Sequence, residues 1–550
     1  MQVFSRMKVG LLAVSLLWAW MAAANAANAA TGSERSGPSG RLVSVQWLQK
    51  NISREDVLVL DASPASAHRK QHIAGAVVAD FFTFGPREPT TAQLQSRLRG
   101  WGISPGQQIV IVDPGGTYMA TKLFWDLLHA GLPAESLFIL DGGMAKWVAA
   151  GGAVTNQPTA PRAPGSVSLG APVQDVRVRL PDFLAATADP RRHVMLEALD
   201  PEYFYGGAAF FSRGGHVPHA TLMPADDFFK SDKTFKSSAE IRAMLQHLGV
   251  HPDQEVLTYC GGGGAAAVPF FALKFLLDYP QVKLFLESQR GWLQDSRELP
   301  MWTYGAPELT RNTDWLKAWG SPMLKTFGLS QVTAVDVRSA DTFRLGHVPL
   351  ALNLPAQDLA AVAQQPQALQ ALLGAAGLNP QHEAVVYADG GINQRSALAY
   401  LLLHQMGQAK VSIHLEGFER WVDQGLDVAR PTAAAAAVTP SQVPARQLRT
   451  DVLVADSDSR AGVFPTVYVS SGNAAAVRRP SGAVVHLPAT ALLTADGAPR
   501  PAKDIWAAIH KAGVPRYARV VLFADQLGDA AMNFIIFKLM GFADVRVLAP

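Results

Sequence analysis

Residues 254–277 read QEVLTYCGGGGAAAVPFFALKFLL, and this stretch decides the fold. Glu255 to Tyr259 is a short apolar run of the kind that fills a buried strand. Four glycines at 261–264 then interrupt it, and from Val268 the apolar residues continue long enough for a helix. A strand passing through a glycine loop into a helix is the building unit of a parallel α/β sheet.

The same arrangement recurs outward along the chain. QQIVIVD at 107–113, EAVVYAD at 383–389 and RVVLFAD at 519–525 each pass through a short polar or glycine-bearing loop into an apolar helix: ATKLFWDLLHAGL, SALAYLLLHQMG and AMNFIIFKLMGF. Four strand candidates that end in or near an acid open the copies: VLVLDAS (57–63), HVMLEAL (193–199), TAVDVRS (333–339) and VLVADSD (452–458). A histidine-containing segment follows in each, namely QHIAGAVV, GGHVPHATLMP, LGHVPLALNLP and more loosely PSGAVVHLP. A last strand closes each copy, running into an acid and a tryptophan in the first three: SLFILDGGMAKW, KLFLESQRGW and SIHLEGFERW. Strands alternating with helices imply parallel sheets with right-handed crossovers. Pro- and Ala-rich linkers at 155–166 and 429–445 mark two boundaries, and Trp315 and Trp319 point to a packed helix at the less distinct boundary around Tyr304 to Pro322.

The composition agrees. A chain of 550 residues is the length of about four domains, and 49% hydrophobic with 17% charged residues excludes a disordered chain. Forty-eight basic against 45 acidic residues leave a net charge of +3 without a long basic run, so nucleic acid is not an expected partner. The start of the chain places Arg6 and Lys8 before an apolar run from Val9 to about Trp20, then Ala24-Asn25-Ala26, which reads as a cleaved leader over 1–26 for general secretion. The run is short of the ~20 residues needed to span a bilayer. The expected location is the periplasm, with no membrane association after cleavage.

The chain has one cysteine, Cys260, so no intramolecular disulfide, cysteine-based zinc site or iron-sulfur cluster can form from it. Ligands of open α/β sheets bind beyond the carboxyl ends of the strands, where Cys260 falls. Gly261, Gly262, Gly263 and Gly264 allow successive N–H groups to converge, and the following helix adds its N-terminal dipole. Both favour an anion, so a thiolate with a pKa below the usual 8.5 or so is expected. A lone cysteine otherwise serves as a small buried apolar side chain; the four-glycine run, for which a structural core has no use, decides for a functional thiol. The loop lacks the Lys-Ser/Thr of a phosphate loop. Six residues past Cys260 stands Ala266, where phosphatase chemistry needs an arginine.

On these residues the chain resembles the rhodanese family of sulfurtransferases. The resemblance is carried by the strand-acid openings, the GHVP segments at His216 and His347, the YCGGGG loop and the closing ESQRGW and EGFERW segments. It implies an α/β protein of four tandem rhodanese-like domains, each a central mostly parallel sheet flanked by helices, at 40–155, 172–305, 322–430 and 445–550. It further implies an enzyme of thiosulfate-sulfurtransferase type, in which Cys260 takes the sulfane sulfur of thiosulfate or a related small-molecule donor, holds it as a persulfide in a cradle of the Gly261 to Ala265 amides, and passes it to a thiophilic acceptor (cyanide, sulfite or a thiol) by a ping-pong covalent mechanism. Asp113, Ala388 and Ala524 stand at the matching position of the other copies, which are therefore read as inactive. A solitary thiol protects a persulfide from collapse to a disulfide.

The match departs from the family in its charges. The loop carries no cation, and Leu199 stands where Arg338 follows the strand acid of the third copy. Arg213 is the best local cation for a donor anion, and Lys274 reads as structural. His216 and His219 could suggest a metal with Glu197, but His72 and His347 recur in the same slot, so packing is expected and neither metal nor cofactor is invoked. Asp61, Glu197, Asp336 and Asp456 read as organisers of backbone amides, and Trp147, Trp292 and Trp421 as core. A periplasmic protein partner and the choice of donor stay open, and the competing reading is a non-catalytic sulfane-sulfur carrier or scaffold.

Overall fold

The computed structural model describes residues 40–80, 89–160, 162–430, 441, 448–455, 463–472 and 484–549. The leader at 1–26, Asp456, residues 445–447 at the start of the fourth copy, and most of the 429–445 linker lie outside them.

The fold is α/β, with four five-stranded sheets among the described residues, all parallel and all of one strand order. In the first sheet the order is Leu42–Val43, Leu137–Leu140, Gln108–Val112, Val57–Asp61 and Val77–Val78. The second repeats it with Arg177–Val178, Val282–Phe285, Glu255–Tyr259, His193–Glu197 and Thr221–Leu222. The third uses Thr310–Arg311, Lys410–His414, Glu383–Tyr387, Val332–Asp336 and Leu352–Asn353, and the fourth Leu453–Val454, Val545–Leu548, Arg519–Phe523, Thr466–Ser470 and Val484–His486. The central strands are buried almost end to end, as strands covered on both faces must be.

Register explains why the strand acids recur. In the first three sheets the acid ending one central strand lies level with the residue before the neighbouring strand's loop: Asp61 with Val112, Glu197 with Tyr259, Asp336 with Tyr387. Each acid therefore lies next to the place where a ligand would sit. The closing tryptophans are buried, and Trp147, Trp292 and Trp421 donate their indole N–H to the carbonyls of Ala153, Pro300 and Asp427.

Three expectations from the sequence are corrected. The strand carrying VLVAD in the fourth copy is the edge strand Leu453–Val454, and the strand equivalent to the acid-bearing ones is Thr466–Ser470, which ends in Ser470 and Ser471. A β-branched run reads alike at an edge and at the centre of a sheet, so the pattern alone misassigned it. The third sheet begins at Thr310–Arg311 rather than at 322, because this two-residue strand pairs with Lys410–His414 ahead of the helix Thr313–Trp319. Finally, the described residues divide into two compact units, those up to 115 with those of 132–169, and those of 116–131 with those from 170 onward, so the helix Met119–His129 packs with the second unit. There Phe124 meets the edges of Phe271 and Phe275, each 5.0 Å between ring centres, and the Trp125 indole donates to the Val176 carbonyl at 3.2 Å. No helix among the described residues is long and apolar enough to cross a membrane.

Candidate active site

Cys260 follows the central strand Glu255–Tyr259, and the loop after it leads into the short helix Ala267–Phe271, which continues as one π turn over Ala272–Leu276. The thiol is 2% exposed. The Gly263 N–H donates to Sγ at 3.1 Å. Gly263 has φ +86°, and a Cβ there would fall 2.5 Å from the Leu286 carbonyl oxygen, so the position admits only glycine. Gly116 and Gly391, three residues after Asp113 and Ala388, share the positive φ. In the first copy the Asp113 carboxylate accepts the Gly115 N–H at 2.8 Å, so the loop of this fold holds an anion even where the thiol is replaced.

The expectation of a depressed thiol pKa is overturned. The Ala266, Gly262 and Gly263 amides favour the thiolate, but burial outweighs them and Glu197 adds to it, so the Cys260 pKa lies above its ordinary value. Five residues of helix and the loop amides supply too little stabilisation to offset desolvation of a charge on a thiol buried this completely.

Rings cover the loop. Phe210 packs against Gly261, where a Cβ would meet it at 3.0 Å, and Tyr118 against Gly264, where a Cβ would meet it at 2.8 Å. Phe210 is itself 53% exposed and packs against Tyr203 at a tilt of 34°, 4.8 Å between ring centres. Tyr118 feels the charge of Cys260; it precedes a helix distant in sequence, and nothing local in the sequence marks it.

Beneath the thiol lies Ser288, with φ +51°. The matching residues of the first and third copies are Gly143 (φ +54°) and Gly417 (φ +68°), matched because the next residue's N–H bonds in turn to the carbonyl of Asp113, Cys260 or Ala388. Serine is held in a left-handed conformation that costs energy. In return its Oγ accepts the Cys260 N–H at 3.1 Å, donates to the Phe285 carbonyl at 2.8 Å and lies 4.0 Å from Sγ.

The strand acids differ between copies. Asp61 meets His68 at 2.7 Å, and Asp336 is held by Arg338 at 2.5 Å. Glu197 is fully buried, and with Leu199 in the place of that arginine it has no cation within ion-pair distance among the described residues. Its partners are neutral: Gln289 donates from Nε2 at 3.2 Å, and Tyr259, whose hydroxyl accepts the Val217 N–H, donates to it as well. Burial raises Glu197 to about 8.

Among the described residues, Arg213 makes no hydrogen bond to the loop. It is exposed and donates to the Leu299 carbonyl at 2.8 Å. Arg290 is a half-buried cation whose backbone N–H bonds to the Gly261 carbonyl at 3.1 Å, so its backbone lies against the loop. Sequence reasoning passed over it within ESQRGW. Lys274 lies in the π turn, away from the loop amides. His216 has the packing role expected: its Nδ1 meets the Phe204 carbonyl at 2.8 Å and its ring stacks on Phe204, as His347 does on Phe343 and His72 on His68. His219 is exposed, its edge toward Trp302.

Comparison with known proteins bears on this geometry. A family model described as "Rhodanese-like domain" matches residues 44–150 and 323–424, two of the copies without the thiol. A probable 3-mercaptopyruvate sulfurtransferase of Pseudomonas aeruginosa is 29% identical over 289 residues, covering 47% of this chain and 97% of that protein. The sulfur carrier protein TtuD of Thermus thermophilus is 27% identical over 275 residues, covering 46% and 93%, and a thiosulfate sulfurtransferase of Azotobacter vinelandii is 24% identical over 257 residues, covering 44% and 91%. The crystal structure of SseA from Escherichia coli, described among 3-mercaptopyruvate sulfotransferases, aligns with 45% of this chain and 98% of its own at 23% identity and a TM-score of 0.41.

Proposed function

From its place in the rhodanese family, we propose that this chain is a sulfurtransferase that carries sulfane sulfur on Cys260. The observation that carries the reading is the sole thiol of the chain, seated at a strand end with a loop N–H 3.1 Å from its sulfur. With thiosulfate as donor, the thiolate attacks the sulfane sulfur, an S–S bond to Cys260 forms, the S–S bond of thiosulfate breaks and sulfite leaves. A nucleophile such as cyanide, sulfite or a thiol then takes the terminal sulfur, and the thiolate returns. Gly263 and its neighbouring amides hold the charge on sulfur in both states. With 3-mercaptopyruvate as donor, the thiolate attacks the thiol sulfur, the C–S bond breaks, and pyruvate leaves as its enolate, which takes up the thiol proton. Arg290 and Arg213 are the two cations available to a donor anion. The reading extends to a periplasmic setting, which the leader pattern at 1–26 supports, and to a protein acceptor there as a partner.

A second reading, a sulfane-sulfur carrier without turnover, draws on the burial of Cys260 and its raised pKa, since both slow attack by and on the sulfur. One experiment separates the two. The protein is incubated with thiosulfate or 3-mercaptopyruvate, its intact mass is checked for one added sulfur atom, and cyanide is added while thiocyanate is followed, with Cys260→Ala as control. Loading with turnover supports the enzyme, loading without turnover the carrier, and no loading defeats both.

A further inference from the structure

Away from Cys260, the second compact unit contains a cavity of about 500 Å³ whose wall is drawn from residues of the second, third and fourth sheets and the segments around them. That volume suits a small organic ligand. Much of its lining is apolar, including Leu222, Leu309, Val411 and Phe542. Its charged lining is of one sign only: Lys410, Arg449, Arg516 and Lys538, with no aspartate or glutamate.

Two of these cations are already neutralised. Arg516 is paired with Asp227, and Lys410 with Glu383 at 3.1 Å. The other two are not. Arg449 donates to the ring of His404, 2.7 Å from its Nδ1, and no carboxylate lies within ion-pair distance of Arg449 or Lys538 among the described residues. His404 is neutral, its pKa pushed down to about 3 by burial and by these two cations. Burial and Arg449 likewise lower Lys538, while Asp544 and Asp451 act on it from farther off. Asp544 is itself held by Arg519 and Arg546. The remaining acid nearby is Glu308, whose charge reaches Tyr400. Two like charges facing a partly desolvated, apolar-walled space are costly unless an anion completes the group.

We propose that this cavity is a second binding site, for an organic anion that sets one sulfonate-, carboxylate- or phosphate-type group on Arg449 and Lys538 and lays an apolar body against Leu309, Val411 and Phe542. The site is independent of sulfur chemistry at Cys260, and it explains why an arginine and a lysine converge with no carboxylate at ion-pair distance among the described residues.

The test uses the full chain and naphthalene-1-sulfonate as probe, with neutral naphthalene-1-sulfonamide beside it, by titration calorimetry. One sulfonate binds per chain, with the same affinity in Cys260→Ala, and the sulfonamide gives at least tenfold weaker binding. Arg449→Gln with Lys538→Met weakens the sulfonate at least tenfold. Should that double variant fail to fold, Ala409→Trp, at an exposed rim residue of the cavity, gives the same loss by blocking the space. Unchanged affinity in the folded double variant or in Ala409→Trp overturns the site. So does equal binding of the sulfonamide, or loss of binding in Cys260→Ala.

Discussion

At the scale of the residue, the chemistry of this site turns on two buried groups whose environments oppose ionisation. Glu197 holds a proton in the native state up to about pH 8, whereas in the unfolded chain it releases it near its ordinary value of 4.5. Between those values the folded protein binds the extra proton, so stability falls as pH rises through this window, by up to about 1.4 kcal/mol per pH unit. Glu197→Gln keeps the hydrogen-bonding shape and removes the proton. The stability of the parent relative to Glu197→Gln, read as the difference between their urea midpoints, should fall from pH 5 to pH 8, because the other titrating groups, the buried histidines among them, cancel in the difference; a constant difference would show that Glu197 is ionised throughout. The same substitution removes the carboxylate that raises Cys260. Because Cys260 is the only thiol, the pH dependence of its alkylation by iodoacetamide reports one group; the profile should shift to lower pH in Glu197→Gln, and an unmoved profile would rule out the coupling. Ser288 permits a sharper test, since one position carries both strain and a hydrogen bond. Ser288→Ala keeps the φ of +51° but orphans the buried Cys260 N–H, a loss of about 1–3 kcal/mol in unfolding free energy. Ser288→Gly relieves the backbone while losing the same bond, so its loss should be the smaller; the reverse order would mean that the strain is not there.

At the scale of the element, a strand, a glycine loop and a helix bring the thiol to the sheet edge, and one further segment governs access to it. Residues 206–214 bring Phe210 onto Gly261, and Cys260 is buried beneath the loop. Phe210→Ala should raise the alkylation rate of native Cys260 several-fold at constant pH with little change in melting temperature, because the ring is half exposed and contributes little burial. An unchanged rate would place the route to sulfur elsewhere. The strand-loop-helix order and Cys260 itself were legible in the sequence because periodicity and glycine spacing are local signals. Three features were not. Tyr118 reaches the loop from a helix far along the chain, a contact made only by packing. The raised thiol pKa depends on how completely packing buries the sulfur, which residue types do not state. The opening strand of the fourth copy was misread because VLVAD at an edge and TVYVS at the centre share one β-branched pattern. What the pattern did carry was the absence of an arginine at Leu199, and the structure turns that single substitution into a neutral acid beside the thiol.

At the scale of the whole molecule, four sheets of one strand order are not four equal packing units. The helix Met119–His129 arises between strands of the first sheet yet belongs to the compact unit that holds Cys260, where Phe124 packs edge-on to Phe271 and Phe275 in the helix that follows the glycine loop. The first copy, which has an aspartate in place of the thiol, thus contributes a helix and Tyr118 to the surroundings of the thiol. This gives a structural reason for its retention that does not call on catalysis. Phe124 is fully buried, so Phe124→Ala leaves a cavity against the loop-bearing helix and should cost about 3–5 kcal/mol. The cost should fall on the unit holding Cys260: in a thermal scan with limited proteolysis, the cleavage sites gained should lie within 170–550, and alkylation of Cys260 should rise as that unit loosens. A chain beginning at residue 170 lacks the helix altogether and should show the same exposure more severely, with loss of sulfur loading. If the shortened chain loads sulfur and melts as the parent does, the first copy is dispensable to the site, and its helix is a bystander rather than a wall of the unit that holds Cys260.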